Sequence, residues 1–368
     1  MQYKRPLFHI VKRKDPPWYA SAGIRLLAVL CALLVCAAVT IILTKEDPMS
    51  VFSTVVQGAV GTKRRIWTLL QNSAILLCIS LAVTPAFRMQ FWNVGGEGQV
   101  LMGALATAGC MLKLGNKVPA PVLYPVLFLA SMMAGAVWAF VPALFKALWK
   151  TNETLSTLML NYIATQLVAY YVVLWENPKG SGTVGVIHSD TNAGWLPVLL
   201  GQKYLANILI VLAVLVFLTI YLNTTKHGYE LSVVGESERT AKYLGINVTK
   251  VILRTASLSG ALCGLAGLLM VAGTDHTITT SLAGGRGFTA VMVSWMSHFD
   301  PIMMVITCLF IVFLERGSGE IATVLQLNTS FSDTLTGIIL FFLIGCEFFI
   351  HYRIVRSGKA ENKEVSHV

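Results

Sequence analysis

Charge is distributed very unevenly along this chain. It is missing from long apolar runs such as Leu26–Leu43 and Ile208–Leu222 and collects in the stretches between them. A soluble core does not need uninterrupted apolar runs of this length, whereas a helix crossing lipid does. Ten runs can be drawn: Leu26–Thr44, Trp67–Pro85, Val94–Leu112, Pro121–Trp149, Leu155–Trp175, Tyr204–Leu222, Val251–Gly273, Phe288–His298, Pro301–Leu314 and Phe331–Ile350. They predict an all-α, polytopic membrane protein of about ten transmembrane helices. The fourth run is overlong and is expected to tilt or continue past the bilayer. The eighth and ninth are too short to span alone at ~1.5 Å per residue. They read as broken helices, or they recruit the glycine-rich segments beside them.

The polar stretches complete the organisation. Residues 1–25 form a basic N-terminal segment, residues 26–352 the transmembrane domain with an inner loop at 223–250, and residues 353–368 a polar tail expected to lack order. The first run has no small-residue cleavage site close behind it, so it is read as a membrane helix and not as a signal peptide. Between the first two runs, Val51, Val55, Val56 and Val60 recur at near-helical spacing in Glu46–Thr62, which predicts a short amphipathic helix on the outer surface.

Composition strengthens this picture. Of the 368 residues, 55% are hydrophobic and 12% charged, about half the usual charge of a soluble domain; mean hydropathy is +0.68. The net charge of +10 would suggest nucleic acid in a soluble chain, but no basic face interleaved with aromatic residues accompanies it. Lys and Arg instead orient the chain. With the N-terminus inside, 18 of the 28 Lys and Arg residues fall on the inner side, which places both termini in the cytoplasm. The run Lys63–Arg64–Arg65 opposes this locally. All seven cysteines lie in apolar runs with no CxxC spacing, as packing residues do. His276, His298 and His351 show no metal-ligand spacing and are expected at the surface or an interface. Glu347 lies near the inner end of the last run and is expected to snorkel.

Three segments carry candidate function. Phe91–Val100 places three glycines and Glu97 at the start of the third run. A carboxylate at the edge of a membrane is costly unless paired or hydrated. Two readings stay open: an unwound segment facing a water-filled pathway, or tight helix packing with Glu97 hydrogen-bonded to backbone. Gly284–Phe288 repeats the design before the eighth run, with Arg286 as its charge. The two clusters follow runs of opposite direction, the pattern of a pathway built on inverted repeats. The third segment is the inner loop Asn223–Lys250. Gly235 is expected to break it, Glu236–Leu244 to form a short helix, and Gly245 to end that helix. Its length exceeds what a connector needs, so it reads as an element that docks on a partner. Asn152 or Thr154 is a candidate cap for the fifth run, and Gly260 and Gly264 belong to a small-residue face suited to close helix crossing.

No GxxxxGK[ST] sequence occurs, so a P-loop is not among the motifs of this chain, and no GxSxG, HExxH or Cys/His cluster offers catalysis. A pathway of this kind needs an ion gradient or an ATPase partner.

These residues resemble the permease subunits of bacterial ABC importers for simple sugars, branched-chain amino acids and nucleosides, most closely the nucleoside branch linked to basic membrane lipoproteins. Asn93-Val-Gly-Gly-Glu-Gly-Gln99 is similar to the FNIGAEGQ segment of that branch. Thr151-Asn-Glu-Thr-Leu-Ser-Thr-Leu-Met-Leu-Asn-Tyr-Ile-Ala164 resembles its NEVISTIMLNYIA stretch. Val234-Gly-Glu, Ala241 and Leu244-Gly-Ile246 resemble the RAVGxNPxAAxxxGI coupling loop, and Gly285-Arg-Gly-Phe-Thr-Ala290 resembles GYGFTAIAVA. The likeness runs in order from about the second run to the last. Departures are Trp92, Ser232, Glu236, Ser237 and Arg286 at positions where the family carries other residues.

The resemblance implies a permease for a nucleoside-like or simple-sugar solute in the bacterial plasma membrane, without its own enzyme activity or cofactor. A partner ATPase would bind ATP and magnesium. A second, homologous permease and a lipid-anchored or periplasmic binding protein would complete the assembly. It implies a solute pathway at Asn93, Gly95, Gly96, Glu97, Gly98, Gln99, Asn161, Gly285, Arg286, Gly287 and Phe288. It implies ATPase coupling at Gly235, Glu236, Glu238, Arg239, Lys242, Tyr243 and Gly245. The alternatives are an ion-coupled secondary transporter, which would need more mid-span carboxylates than Glu97, and a membrane-embedded enzyme, which would need paired carboxylates or histidines near the interface.

Overall fold

The computed structural model describes residues 8–13, 18–44, 48–324, 326 and 329–356. The elements are β1 (Phe8–Lys12), α1 (Trp18–Thr44), α2 (Pro48–Val60), α3 (Lys63–Arg88), α4 (Gly96–Leu114), α5 (Ala120–Trp149), α6 (Glu153–Trp175), α7 (Leu205–Thr224), α8 (Lys226–Glu236), α9 (Glu238–Tyr243), α10 (Val248–Met270) with a π-turn at Val271–Asp275, α11 (Arg286–Met296), α12 (Pro301–Val324), α13 (Thr329–His351) and β2 (Tyr352–Arg356). Each of the ten apolar runs coincides with a helix to within a few residues, except that the first and ninth helices extend well beyond theirs. Among the described residues, seven helices are long and apolar enough to cross a membrane: α1, α3, α5, α6, α7, α10 with its π-turn, and α12. The chain is therefore a multi-pass membrane protein. The predicted amphipathic helix is present as α2.

Several expectations are corrected. The ninth run recruits the glycine-containing segment beside it, one of the two expected outcomes: α12 continues to Val324 over 24 residues, through Glu315, Arg316, Gly317 and Gly319. The eighth, α11, is short as expected, at 11 residues or roughly 16 Å. The first helix starts at Trp18, eight residues before its apolar run, so Arg25 lies within it. The tail is ordered at its start, where β2 pairs antiparallel with β1, Lys12 opposite Tyr352 and Phe8 opposite Arg356. Residues 357–368 lie outside the described residues.

The chain divides into two compact units, Met1–Arg65 with Phe313–Val368, and Ile66–Val312. In the first, α1 and α13 run antiparallel, with Arg25 opposite Glu347 and Cys36 opposite Leu335. Glu347 does not snorkel to solvent: it accepts from Arg25 Nε at 3.2 Å and Nη2 at 2.9 Å. Arg65, from the basic run that opposed the charge bias, pairs with Glu320 and donates to the Gln57 carbonyl at 2.8 Å.

In the second unit α4, α5 and α10 cross almost backbone to backbone. A Cβ on Gly135 would overlap the Gly260 carbonyl, and one on Gly103 would overlap Gly264. The small-residue face anticipated at Gly260 and Gly264 is thus this crossing, where absence of a side chain permits the approach. All seven cysteines are free. His298 is exposed and His276 half-buried. Its ring stacks on Trp195 at 3.7 Å in the connection between α10 and α11, and burial lowers its pKa.

Candidate functional site

After α3 ends at Arg88 the chain runs without helix to Gly95, and side chains hold this stretch. Asn93 Oδ1 accepts from the Gly95 amide at 3.1 Å and from Gln99 Nε2 at 2.9 Å, while its Nδ2 donates to Ser259 Oγ at 3.1 Å and Gln99 Oε1 at 3.2 Å. Asn161, on α6, grips the same segment twice. It accepts from the Gly98 amide at 2.9 Å and donates to the Val94 carbonyl at 3.0 Å. Buried polar groups need such partners, and here the partners fix where α4 begins.

Glu97, in the first turn of α4, meets the second glycine cluster. Its two carboxylate oxygens accept from the amides of Gly285 and Gly287, each at 2.8 Å. A helix N-terminus exposes unpaired amides and a partial positive charge, both of which a carboxylate satisfies. Gly285 sits at φ +77°, a left-handed conformation that glycine adopts without strain, and turns the chain into α11. At Gly287 a Cβ would overlap the Glu97 backbone nitrogen, so only glycine lets the two helix starts touch. Arg286 points elsewhere and donates from Nη2 to Asn72 Oδ1 on α3 at 2.9 Å.

The structure therefore brings together ten of the eleven pathway candidates around the junction of α4, α6 and α11. The exception is Phe288, which is exposed and joins none of these contacts. Glu97 is hydrogen-bonded to backbone, as the packing reading anticipated, but the backbone belongs to a segment 188 residues away.

Other polar residues were missed. Gln71, Asn72 and Ser73 form an unbroken polar triplet inside α3, and all three are buried. Gln71 Nε2 donates to Thr274 Oγ1 in the π-turn at 2.8 Å, and Asn207 on α7 donates to the Leu269 carbonyl at 3.2 Å. Three successive polar side chains within an apolar run were the available signal. Trp92, a departure from the family segment, stacks on Trp295 at 5.3 Å and meets Phe87 edge-on at 5.8 Å.

The inner loop folds as two capped helices. Thr225, Ser237 and Asn247 each accept an amide at the start of α8, α9 and α10, the ordinary work of an N-cap. Gly235 does not break the loop, contrary to expectation. It lies within α8, where a Cβ would overlap the Arg88 carbonyl, and the break falls at Ser237. Leu231, Val234 and Ala241 pack into a core with Ala86, Phe91 and Ile252. The opposite face carries Glu236, Glu238, Arg239, Lys242 and Tyr243, all exposed, with Tyr243 at 92%. A cavity of about 250 Å3 opens beside Glu236 and Glu238 towards Lys146 and Gln90. Gly245 ends the motif at φ +75°. Asn152 caps α6, accepting from the Leu155 amide at 3.1 Å.

Residues 65–344 match the family model described as the branched-chain amino acid transport system / permease component. The chain is 28% identical to a glucose ABC transporter permease protein of Haloferax volcanii, over 93% of this chain and 92% of that one. It is 27% identical to a guanosine ABC transporter permease protein of Bacillus subtilis, over 72% and 76%, and 25% identical to a probable riboflavin import permease protein of Treponema pallidum, over 90% and 87%. The chain belongs to the family of branched-chain amino acid transport system permease components and is the permease subunit of an ABC-type importer.

Proposed function

We propose that this permease carries a nucleoside-like or simple-sugar solute across a bacterial plasma membrane through about ten transmembrane helices, α4, α11 and α13 adding to the seven longer ones, with both termini cytoplasmic. The observation that carries the reading is the Glu97 carboxylate held on the first turn of α11. The Glu97 carboxylate, the two glycine-bounded helix starts and, beside them, Arg286 on Asn72 place polar groups within a largely apolar helical body. Solute hydroxyls and ring nitrogens suit such hydrogen-bonding groups, and relatives named for glucose and guanosine support that solute class. Glu97, Asn93, Asn161 and Arg286 line or shape the pathway.

The exposed face of α8 and α9 docks a P-loop ATPase, which binds ATP and magnesium. A second, homologous permease completes the pathway, and a lipid-anchored or periplasmic binding protein delivers solute to it. Pull-down of the tagged chain from mild detergent, followed by mass spectrometry, tests the assembly; recovery of an ATPase and a second permease is expected. Reconstitution of that complex with labelled guanosine, ribose and glucose tests the solute class. ATP-dependent uptake of none of the three would overturn it.

A further inference from the structure

Beside the strand pair, residues of α1 and α13 line a cleft of about 650 Å3, within the roughly 300–1,000 Å3 range of small-molecule sites. Its walls are apolar, with Leu27 and Cys31 on α1 and Phe341 and Phe349 on α13. Leu27 and Phe341 are 63% and 71% exposed, so the chain itself leaves these walls uncovered. Arg13 and Tyr352, which border the strands, supply the polar end. From Tyr352 to Phe341 the cleft follows α13 for roughly 16 Å, near half of a ~30 Å hydrocarbon core. An apolar slot one leaflet deep with a cation at its mouth matches a phospholipid: acyl chain inside, headgroup at Arg13.

Two further observations favour a filled cleft. Gly345 lines it from within α13, and a Cβ built there meets nothing within 4 Å. Glycine is the poorest helix former after proline, and no close backbone approach requires it here, so its effect is to keep the space open. Among the described residues the lining carries no carboxylate, and neighbouring Glu347 is paired with Arg25 at 2.9 Å. In the sequence, Lys12 and Lys14 adjoin Arg13, and Arg353 and Arg356 follow Tyr352. Clustered basic residues at the inner end of membrane helices attract anionic headgroups.

We propose that the α1–α13 cleft is a binding site for an anionic phospholipid, with one acyl chain along Gly345 and the phosphate paired to Arg13. Native mass spectrometry of the full chain in detergent tests it, with palmitoyl-oleoyl phosphatidylglycerol or phosphatidylcholine added at equal concentration. Retention of the anionic lipid should be about fivefold greater, the effect of one cation near a charged headgroup. Arg13→Ala should reduce the preference and leave the retention of phosphatidylcholine unchanged. Gly345→Leu extends into the cleft from a Cβ that meets nothing within 4 Å and should cut retention of both lipids, with unchanged helical content by circular dichroism; Gly345→Ala is the milder control. Equal retention of the two lipids by the unaltered chain would overturn the proposal. So would a Gly345→Leu variant that keeps its lipid, or one that loses a self-associated form while retaining lipid, which would assign the cleft to a second protein chain.

Discussion

The Glu97 junction and the face of α8 and α9 are both polar, yet they treat their charges in opposite ways. At the junction each charged group is matched within the chain: the carboxylate by two amides at 2.8 Å, the guanidinium by Asn72 at 2.9 Å. On the loop, Glu236, Glu238, Arg239 and Lys242 are exposed and form no ion pair among the described residues. The difference follows from solvent. A charge in a low-dielectric interior must be matched by its own protein or it destabilises the fold, whereas a charge in water is free to wait for another protein. The first site is self-contained; the second, in the proposed assembly, is complete only with a partner. Variants should therefore separate stability from coupling.

The largest effect is expected at the junction. Glu97→Ala strands the Gly285 and Gly287 amides and should lower stability by about 1–3 kcal/mol, measured as a fall in melting temperature in detergent, with uptake lost. Glu97→Gln keeps one acceptor oxygen and should fall between the two. Normal melting and uptake in Glu97→Ala would show that the cap contributes nothing.

On the loop the expectation reverses. Tyr243→Ala removes an aromatic side chain that touches little of its own chain. It should leave the melting temperature unchanged while weakening ATPase association by about 2 kcal/mol, the size typical of a buried aromatic anchor at an interface. Reversal of Arg239 to Glu should act in the same direction through the rim charge, slowing association in a salt-dependent manner. Gly235→Val differs from both: its side chain would overlap the Arg88 carbonyl, lifting α8 from its core. That overpacking should cost about 1–3 kcal/mol and coupling together. A Tyr243→Ala variant with full solute-stimulated ATPase activity would remove the loop's assignment.

How far these sites could be read from sequence depends on where their causes lie. The helices were legible because a bilayer imposes a length of apolar run that few other structures need. Glu97 was legible as an oddity, a carboxylate among glycines. Its partner was not, because a cap reaching across 188 residues leaves no local pattern. Gly235 was misread for a related reason. Glycine has low helix propensity, but here it permits contact with Arg88, and the local signal for the break is the capping Ser237. The ninth run was cut short at Leu314 because the charges and glycines beyond it break the apolar pattern. Their compensation is tertiary: Glu320 meets Arg65, and Gly317 admits the backbone of Val55.

The smallest effect tests how rigidly the exposed loop is tied to the helices above it. Glu230, on α8, accepts from Arg254 of α10 at 3.1 Å, with His227 and Lys226 also facing it. Burial alone would raise this carboxyl, but the hydrogen bond and charge of Arg254, joined by those two neighbours, hold it below the ordinary glutamate range. The folded state therefore binds fewer protons than the unfolded one. The stabilisation is complete above the ordinary value near 4.3 and disappears as pH falls through the lowered folded value. For a partly exposed pair its size is about 0.2–1 kcal/mol. Glu230→Gln should remove that part of the acid dependence and lower the melting temperature slightly at pH 7, with no change at a pH below the folded value. Stimulated ATPase activity should fall less than in Tyr243→Ala, because the docking face remains intact and only its tether to α10 is loosened. If Glu230→Gln instead matched Tyr243→Ala in full, the tether would be as necessary to coupling as the face it holds, and the distinction between a self-contained site and a waiting one would have to move inward to α10.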